Sequence, residues 1–258
     1  MDCKDVIEII EQFYPKRYAM SWDNVGLLAG CKDQKVEHVY IALDLTDEII
    51  RDAIEKKADM IVTHHPLIFS PLHSVTDGDF IGKRLIRLIQ NHICYYAMHT
   101  NYDVVRMADL AADKMELQDM EVLEMCFPDE NKGIGKTGML KNTMTLKECC
   151  GYVKDKFHLE HVKLFGNPET KIKKVAILPG SGKSAIDTAV GMNADVLITG
   201  DIGHHEGIDA VAKGISIIDA GHYGIEHIYI DDMKNFFQLQ IPDLVVDTAK
   251  IRHPFQIF

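Results

Sequence analysis

Five histidine and acidic side chains in this sequence are spaced so that their nitrogen and oxygen donors could bind divalent metal ions. His64 and His65 are adjacent at the end of an apolar run, Met60–Thr63. His222 and Glu226 are four residues apart, the spacing at which two side chains share one face of a helix. The complete set of candidate metal ligands is His64, His65, Asp103, His222 and Glu226.

A donor set of imidazoles and carboxylates without thiolate suits zinc, manganese, iron, cobalt or nickel, and the sequence does not select one of them. The two oxygens of Asp103 could bridge a pair of ions. Two ions about 3.5–4 Å apart lower the pKa of bound water towards about 7 and polarise a substrate oxygen. We therefore expect a pair of divalent ions per chain and a hydrolytic reaction in which metal-bound hydroxide is the nucleophile.

The sequence contains no clear general base apart from this donor set. Glu206, in His204-His205-Glu206, is a candidate because this cluster follows the strand of the second half that corresponds to Met60–Thr63. Glu206 also suits a helix start, where an acidic side chain stabilises the positive end of the helix. Both roles stay open, so the catalytic residues are unassigned.

The candidate ligands follow short apolar segments that alternate with amphipathic ones. Short apolar runs are typical of buried strands, and strands that alternate with helices indicate parallel β-α-β units. Ligands bind at the carboxyl ends of such strands. The predicted strands are 39–45, 59–63, 93–98, 162–165, 175–178, 195–199 and 215–218, and a Gly-rich strand signal covers 133–140. The predicted helices are 5–13, 47–57, 79–90, 104–115, 146–157, 183–192, 205–212 and 223–237.

The second half of the chain repeats the first. A shift of 136 positions superimposes Ala58–Thr63 on Ala194–Thr199, two segments that share Ala, Asp and Thr at matching places. In each half, the following strand ends in a histidine with an acid four residues later, His99 with Asp103 and His222 with Glu226. An internal duplication of this kind predicts two related α/β lobes, residues 1–125 and 126–258, with a dinuclear metal site between them.

The only tryptophan lies in a polar turn, Ser21–Leu28. Asp23 and Asn24 are typical of turns because their side chains hydrogen-bond to nearby backbone. Two roles for Trp22 stay open: it anchors the turn in the core, or it lines a binding site.

The segment Leu178–Ser184 ends like a P-loop but does not meet the Walker pattern. That pattern requires glycine five positions before Gly182, where this chain has Ile177. The loop is also too short to wrap a phosphate chain, although it suits a small anion nest at a helix start. We therefore do not expect a nucleotide triphosphatase of the P-loop class.

The composition, with 47% hydrophobic and 26% charged residues, is that of an ordinary globular protein. The formal net charge of −11 argues against nucleic-acid binding, because phosphate neutralisation needs clustered cations. No run approaches the roughly 18 apolar residues of a membrane span, and no signal peptide is visible. The six cysteines include no C-x-x-C pair and are typical of reduced thiols. We expect a cytoplasmic protein.

Five stretches of the sequence together resemble the NIF-three-like family, whose bacterial members are commonly named GTP cyclohydrolase 1 type 2 homologues. They extend from near the first predicted helix to near the carboxyl terminus, so the resemblance covers nearly the whole chain. They are Ser21-Trp22-Asp23-Asn24-Val25-Gly26-Leu27, Thr63-His64-His65-Pro66, His99-Thr100-Asn101-Tyr102-Asp103, Thr199-Gly200-Asp201 and Gly221-His222-Tyr223-Gly224-Ile225-Glu226.

The resemblance implies two α/β lobes around a dinuclear metal site in a toroidal homohexamer, built as a trimer of dimers. Carried over by position, the implied ligands are His64, His65, Asp103, His222 and Glu226. The chain is similar to the short form of the family, without an inserted domain. The cyclohydrolase name implies hydrolytic opening of the purine ring of GTP, so we expect a nucleotide-like substrate.

Two functions stay open on the sequence alone. One is a hydrolase that depends on a dinuclear metal site. The other is a metal-binding or regulatory homo-oligomeric assembly without catalysis, an alternative that the absence of an evident general base favours. A nucleic-acid-binding ring is disfavoured by the net charge of −11.

Overall fold

A computed structural model describes residues 1–256 of the chain. The chain folds into two compact units. Unit 1 contains residues 1–102 and 229–251, and unit 2 contains residues 103–228 together with the described chain from Arg252 onwards.

Residues 1–102 alternate between helices and strands. Two of the helices begin at residues whose side-chain oxygens accept backbone N–H groups of the first turn, Thr46 and Asp79, which is the usual way to satisfy a helix start. The elements are α1 (Cys3–Phe13), β1 (Gly26–Ala29), β2 (His38–Ala42), α2 (Asp47–Glu55), β3 (Met60–Thr63), α3 (Phe80–Gln90), β4 (Cys94–Ala97) and the single turn α4 (Thr100–Tyr102).

The remaining elements begin with a π-helical turn at Asp103–Met107. In chain order they are α5 (Ala108–Lys114), β5 (Gln118–Phe127), β6 (Lys132–Thr145), α6 (Leu146–Phe157), β7 (Lys163–Phe165), β8 (Lys171–Ser181), α7 (Ile186–Gly191), β9 (Val196–Gly200), α8 (His204–Ala212), β10 (Ser216–Asp219), α9 (His222–Glu226), α10 (Ile228–Gln240) and β11 (Val245–Thr248). The last strand, β11, returns to the sheet of unit 1.

Each unit is built on one mixed sheet, which confirms the predicted α/β class. The strand order in unit 1 is β1-β4-β3-β2-β11, and in unit 2 it is β5-β6-β8-β9-β10-β7. In unit 1, β2, β3 and β4 are parallel neighbours, and in unit 2 the same relation holds for β8, β9 and β10. An antiparallel strand borders each set, β1 against β4 and β7 against β10.

The two aspartates that match in the sequence repeat, Asp59 and Asp195, make similar hydrogen bonds in the two units. Asp59 Oδ2 accepts the backbone N–H groups of residues 37 and 38, at 2.9 and 3.0 Å. Asp195 Oδ2 accepts those of residues 173 and 174, at 2.7 and 2.8 Å. The two aspartates are therefore retained in the repeat because each holds the neighbouring strand of its own unit in register.

Apolar side chains cover the sheets and explain why the central strands are apolar throughout. All four residues of β3 are buried, and so are all five residues of β9. The core of unit 1 includes Tyr40, Ile61 and Tyr95. Burying each large side chain contributes roughly 1.5–3 kcal/mol, so these strands are held firmly and their carboxyl ends are fixed in position.

Three features differ from the sequence-based expectation. The expected boundary between residues 125 and 126 falls inside β5, and the chain instead passes from unit 1 to unit 2 at Tyr102–Asp103. The single helix expected over 104–115 is divided into the π-helical turn and α5. The edge strands β1, β5 and β11 were not predicted: β1 overlaps the segment Ser21–Leu28 interpreted as a polar turn, and β5 and β11 are partly exposed strands without a continuous apolar run. Within residues 1–256, no helix combines the length and apolar character needed to cross a bilayer.

Candidate metal centre

The buried strand β3 carries His64 and His65 to the carboxyl edge of the sheet of unit 1, as predicted. His64 is fully buried and His65 is partly buried. The backbone N–H of His65 donates to Leu43 O at 2.9 Å, and its carbonyl accepts Thr63 Oγ1 at 2.8 Å and the Tyr95 hydroxyl at 3.1 Å. These bonds fix the turn in which the two imidazoles leave the strand.

A third imidazole, His99, joins these two after β4. One ring nitrogen of each of His64, His65 and His99 lies within 4.8 Å of the others. The ring centroids are 4.8–5.6 Å apart. We call these three residues the imidazole cluster. Three nitrogen donors this close are compact enough to share one metal ion.

Each ring of the imidazole cluster has an oxygen acceptor at Nδ1. Because a carbonyl or carboxylate oxygen only accepts, the neutral ring carries its proton on Nδ1 and keeps a lone pair on Nε2. Histidines that bind metals show this arrangement, in which the acceptor fixes tautomer and ring orientation. The three contacts are His64 to Met98 O at 3.1 Å, His65 to Asp44 Oδ1 at 2.8 Å and His99 to Asp23 Oδ1 at 2.9 Å.

The side chain of Asp23 has no solvent exposure, whereas that of Asp44 is 48% exposed. Asp23 Oδ2 accepts the backbone N–H of Thr100 at 3.0 Å and the Thr100 hydroxyl at 2.6 Å. Burial opposes ionisation of this carboxyl, but the hydrogen bonds from His99 and Thr100 outweigh burial and lower the pKa of Asp23 to about 2. Asp23 is therefore an ionised carboxylate that fixes the orientation of the His99 ring through its Nδ1.

Unit 2 contains its own group of donors, Asp103, His222 and Glu226. One carboxylate oxygen of Asp103 lies within 4.8 Å of one of Glu226. His222 Nε2 lies 3.1 Å from Glu226 Oε2, and His222 Nδ1 contacts Asp201 Oδ2 at 2.7 Å. Two neighbouring carboxylates, of which Glu226 is buried, repel each other unless a cation or a proton lies near them.

Glycines make room for this group. Gly180 has a φ of +81°, and a Cβ added there would lie 2.5 Å from Glu226 Oε1. At Gly200 an added Cβ would collide with the backbone N of His222. Gly180 belongs to the P-loop-like segment Leu178–Ser184, and its lack of a side chain lets the Glu226 carboxylate approach this segment closely.

The structure thus brings together His64 and His65 in unit 1, and Asp103, His222 and Glu226 in unit 2. Glu206 lies in the first turn of α8, which fits the helix-start role. Among the described residues of unit 2, the clustered carboxylates are those of Asp103 and Glu226 and do not include Glu206.

Sequence reasoning missed His99 as a member of the cluster, and it missed Asp23 and Asp44 as acceptors. Asp44 carried a usable signal, since it interrupts the apolar run Leu43–Leu45 just after β2, at the carboxyl end of a parallel strand. Asp23 carried no such signal. Its contact with His99 joins residues far apart in the sequence and depends on how the turn of residues 21–24 folds.

Comparison with known proteins identifies a family whose members this chain resembles in sequence. A family model described as Duf34/NIF3 (NGG1p interacting factor 3) matches residues 1–254. The sequence is 36% identical over 230 residues to a GTP cyclohydrolase 1 type 2 homolog from Clostridium acetobutylicum, in an alignment that covers 86% of this chain and 84% of that protein.

Solved structures show the same fold. A Bacillus cereus protein related to NIF3 is similar with a TM-score of 0.94 and 25% identity, over 100% of this chain and 99% of that one. Reduced HcgD from Methanocaldococcus jannaschii is similar with a TM-score of 0.84 and 31% identity, over 96% of this chain and 97% of that one. The similarity therefore extends over both units.

Proposed function

We propose that this chain, which belongs to the Duf34/NIF3 family, is a metal-dependent hydrolase that acts on a nucleotide-like substrate. The observation that carries the proposal is the imidazole cluster, in which three ring nitrogens lie within 4.8 Å of one another. Each ring is held at Nδ1 by an oxygen acceptor, so its Nε2 is the atom presented for coordination. This chemistry fits a divalent ion.

The proposed ligands are those expected from the sequence, with His99 as an additional nitrogen donor beside His64 and His65. The proposal is that His64 and His65 of unit 1, and Asp103, His222 and Glu226 of unit 2, serve as ligands for two divalent ions per chain. Zinc, manganese, iron, cobalt and nickel all suit these donors. Bound divalent ions supply a Lewis acid and lower the pKa of coordinated water towards about 7.

The task of the surrounding carboxylates is to orient imidazoles. Asp44 holds the Nδ1 proton of His65, and Asp201 does the same for His222, at 2.8 and 2.7 Å. A partner of this kind fixes the tautomer of the ring and raises its basicity as a ligand. Asp44 and Asp201 are therefore positioning residues, since each acts through the histidine that it contacts.

The proposed substrate class rests on the name of the Clostridium acetobutylicum relative, GTP cyclohydrolase 1 type 2 homolog. A cyclohydrolase opens a purine ring by hydrolysis, and Lewis-acid activation of water is suited to that reaction. We further propose that the protein acts in the cytoplasm, since all six cysteines are free thiols, and that it forms a homohexamer arranged as a trimer of dimers. Light scattering of the purified protein would measure its mass in solution.

The function is tested by turnover of GTP and a panel of other nucleotides with each candidate metal. We expect metal-dependent product formation by the wild type and its loss in His65→Ala. His73→Ala is the matched control, because His73 is exposed and belongs to no described metal-ligating group. Bound metal without turnover across the whole panel would refute catalysis and support the non-catalytic assembly. Full activity of His65→Ala would refute the assigned site.

A further inference from the structure

The single tryptophan of the chain is on the surface. Trp22 is 63% exposed, so the interpretation that it anchors its turn in the core is wrong. Its ring centroid lies 6.0 Å from that of His99, with the two planes at 74°. A large apolar ring left in water beside a candidate reaction centre is typical of a ligand-binding surface.

A second exposed aromatic ring borders the same imidazole. Phe69 is 52% exposed, and its centroid lies 5.8 Å from that of His99, at an interplanar angle of 85°. Trp22 and Phe69 are 47 positions apart in the sequence, yet both rings are edge-on neighbours of one member of the imidazole cluster. We call these two residues the aromatic pair.

The backbone that carries the aromatic pair is braced by polar contacts rather than by the rings. The buried carboxylate of Asp23, next to Trp22, accepts hydrogen bonds from His99 and Thr100. Asn24 Nδ2 donates to the carbonyl of Ile68, next to Phe69, at 2.7 Å. The turn of Trp22 and the loop of Phe69 are thus tied to each other without using either ring. Loops fixed in advance reduce the entropic cost of binding a ligand.

We propose that Trp22 and Phe69 bind a planar heteroaromatic ring, such as a nucleobase, of the substrate that reacts beside the imidazole cluster. The inference rests on the proposed function only for the identity of that reaction centre. Aromatic side chains stack on nucleobases, and stacking accepts any base because every base has a π-face. The occupant is a ligand of the site because both rings adjoin His99.

The same unit provides a matched control for an exposed ring. Phe80 is 60% exposed, and the guanidinium carbon of Arg84 lies 5.0 Å from its ring centroid. Phe80 begins α3 and has no described ring contact with the imidazole cluster. Its removal deletes a similar exposed area without changing the proposed binding surface.

The test uses the fluorescence of Trp22, which reports on this surface alone because the chain has one tryptophan. The protein is titrated with guanosine 5′-monophosphate and with ribose 5-phosphate, once metal-loaded and once with chelator, with excitation where purines do not absorb. We expect saturable quenching by the nucleotide and none by the sugar phosphate. Phe69→Ala should weaken nucleotide binding by roughly tenfold or more, and Phe80→Ala should leave it unchanged. Calorimetry on Trp22→Ala should give the same loss.

Several outcomes would overturn the inference. The first is equal binding of the nucleotide and the sugar phosphate, and the second is unchanged nucleotide affinity in Trp22→Ala and Phe69→Ala. The third is protection of Trp22 fluorescence from quenching by acrylamide, which would mean that another copy of the chain covers the surface. Failure here is distinct from failure of the proposed function. Turnover with nucleotide binding that does not depend on Trp22 and Phe69 would refute only the proposed aromatic binding site. Binding that depends on these two rings, without turnover, would refute only the proposed hydrolase activity.

Discussion

Replacing Asp44 by asparagine should weaken metal binding without unfolding the protein. Asp44 Oδ1 accepts the Nδ1 proton of His65 at 2.8 Å. An amide at this position either makes a weaker neutral hydrogen bond or turns its NH₂ towards Nδ1. In the second case the ring proton moves to Nε2, and His65 can no longer coordinate through that atom.

The expected magnitudes differ for the two properties. Removing a carboxylate that orients a metal-binding histidine typically costs 10–100-fold in metal affinity, about 1.4–2.7 kcal/mol. The side chain of Asp44 is 48% exposed, and an ion pair that accessible contributes about 0–1 kcal/mol to the free energy of unfolding. A large loss of affinity with a small loss of stability is therefore the signature of a positioning residue.

The assay is competition with a chromogenic chelator for affinity, paired with urea denaturation of the metal-free protein for stability. Asp47→Asn is the matched control. Asp47 is 50% exposed and pairs with Arg84 at 3.1 Å, so its replacement removes the same charge without touching an imidazole. A positioning role for Asp44 is refuted if Asp44→Asn binds metal within about twofold of the wild type, or no worse than Asp47→Asn.

Three further perturbations have defined outcomes. Gly180→Ala introduces a Cβ at a left-handed φ beside Glu226 Oε1. Calorimetry should show a loss of about 1–2 kcal/mol in the free energy of unfolding, and the purified variant should contain less metal. Unchanged metal content would contradict the described crowding. The pKa of Asp23 falls from 3.8 in the unfolded chain to about 2 in the folded protein. The ionised carboxylate therefore stabilises the fold fully above pH 3.8, and this contribution is lost as the pH falls towards about 2. Wild-type stability measured in urea should therefore lose about 1 kcal/mol by about pH 3 relative to Asp23→Asn, and parallel pH profiles would contradict this. Asp195→Asn weakens two hydrogen bonds to backbone N–H groups and should cost about 1–3 kcal/mol in urea denaturation, whereas a loss below about 0.5 kcal/mol would show that the bonds are not needed.

The sequence was sufficient where local pattern determines structure. β3 is a continuous apolar run, so its burial and the placement of His64 and His65 at its carboxyl end follow from pattern alone. The repeat of Ala58–Thr63 at Ala194–Thr199 predicted a second unit built in the same way, and Asp59 and Asp195 make matching contacts with the neighbouring strands of their own sheets.

The remainder depends on contacts that no local pattern encodes. β11 is a short, partly exposed strand that pairs with β2 from the far end of the chain, and a four-residue strand carries no signal of its partner. The contacts of Asp23 with His99 and of Asn24 with Ile68 arise only when separate loops are brought together. Those same contacts leave Trp22 exposed, although the residue type by itself favours burial.

The central claim, that the chain holds catalytic metal through its imidazoles and carboxylates, is tested most directly by elemental analysis of the purified protein after reconstitution and gel filtration. The wild type should retain about two divalent ions per chain, as dinuclear hydrolases do. His65→Ala should retain fewer ions, and His73→Ala should match the wild type. Retention of no ion by the wild type, or of equal metal by His65→Ala, would contradict the account.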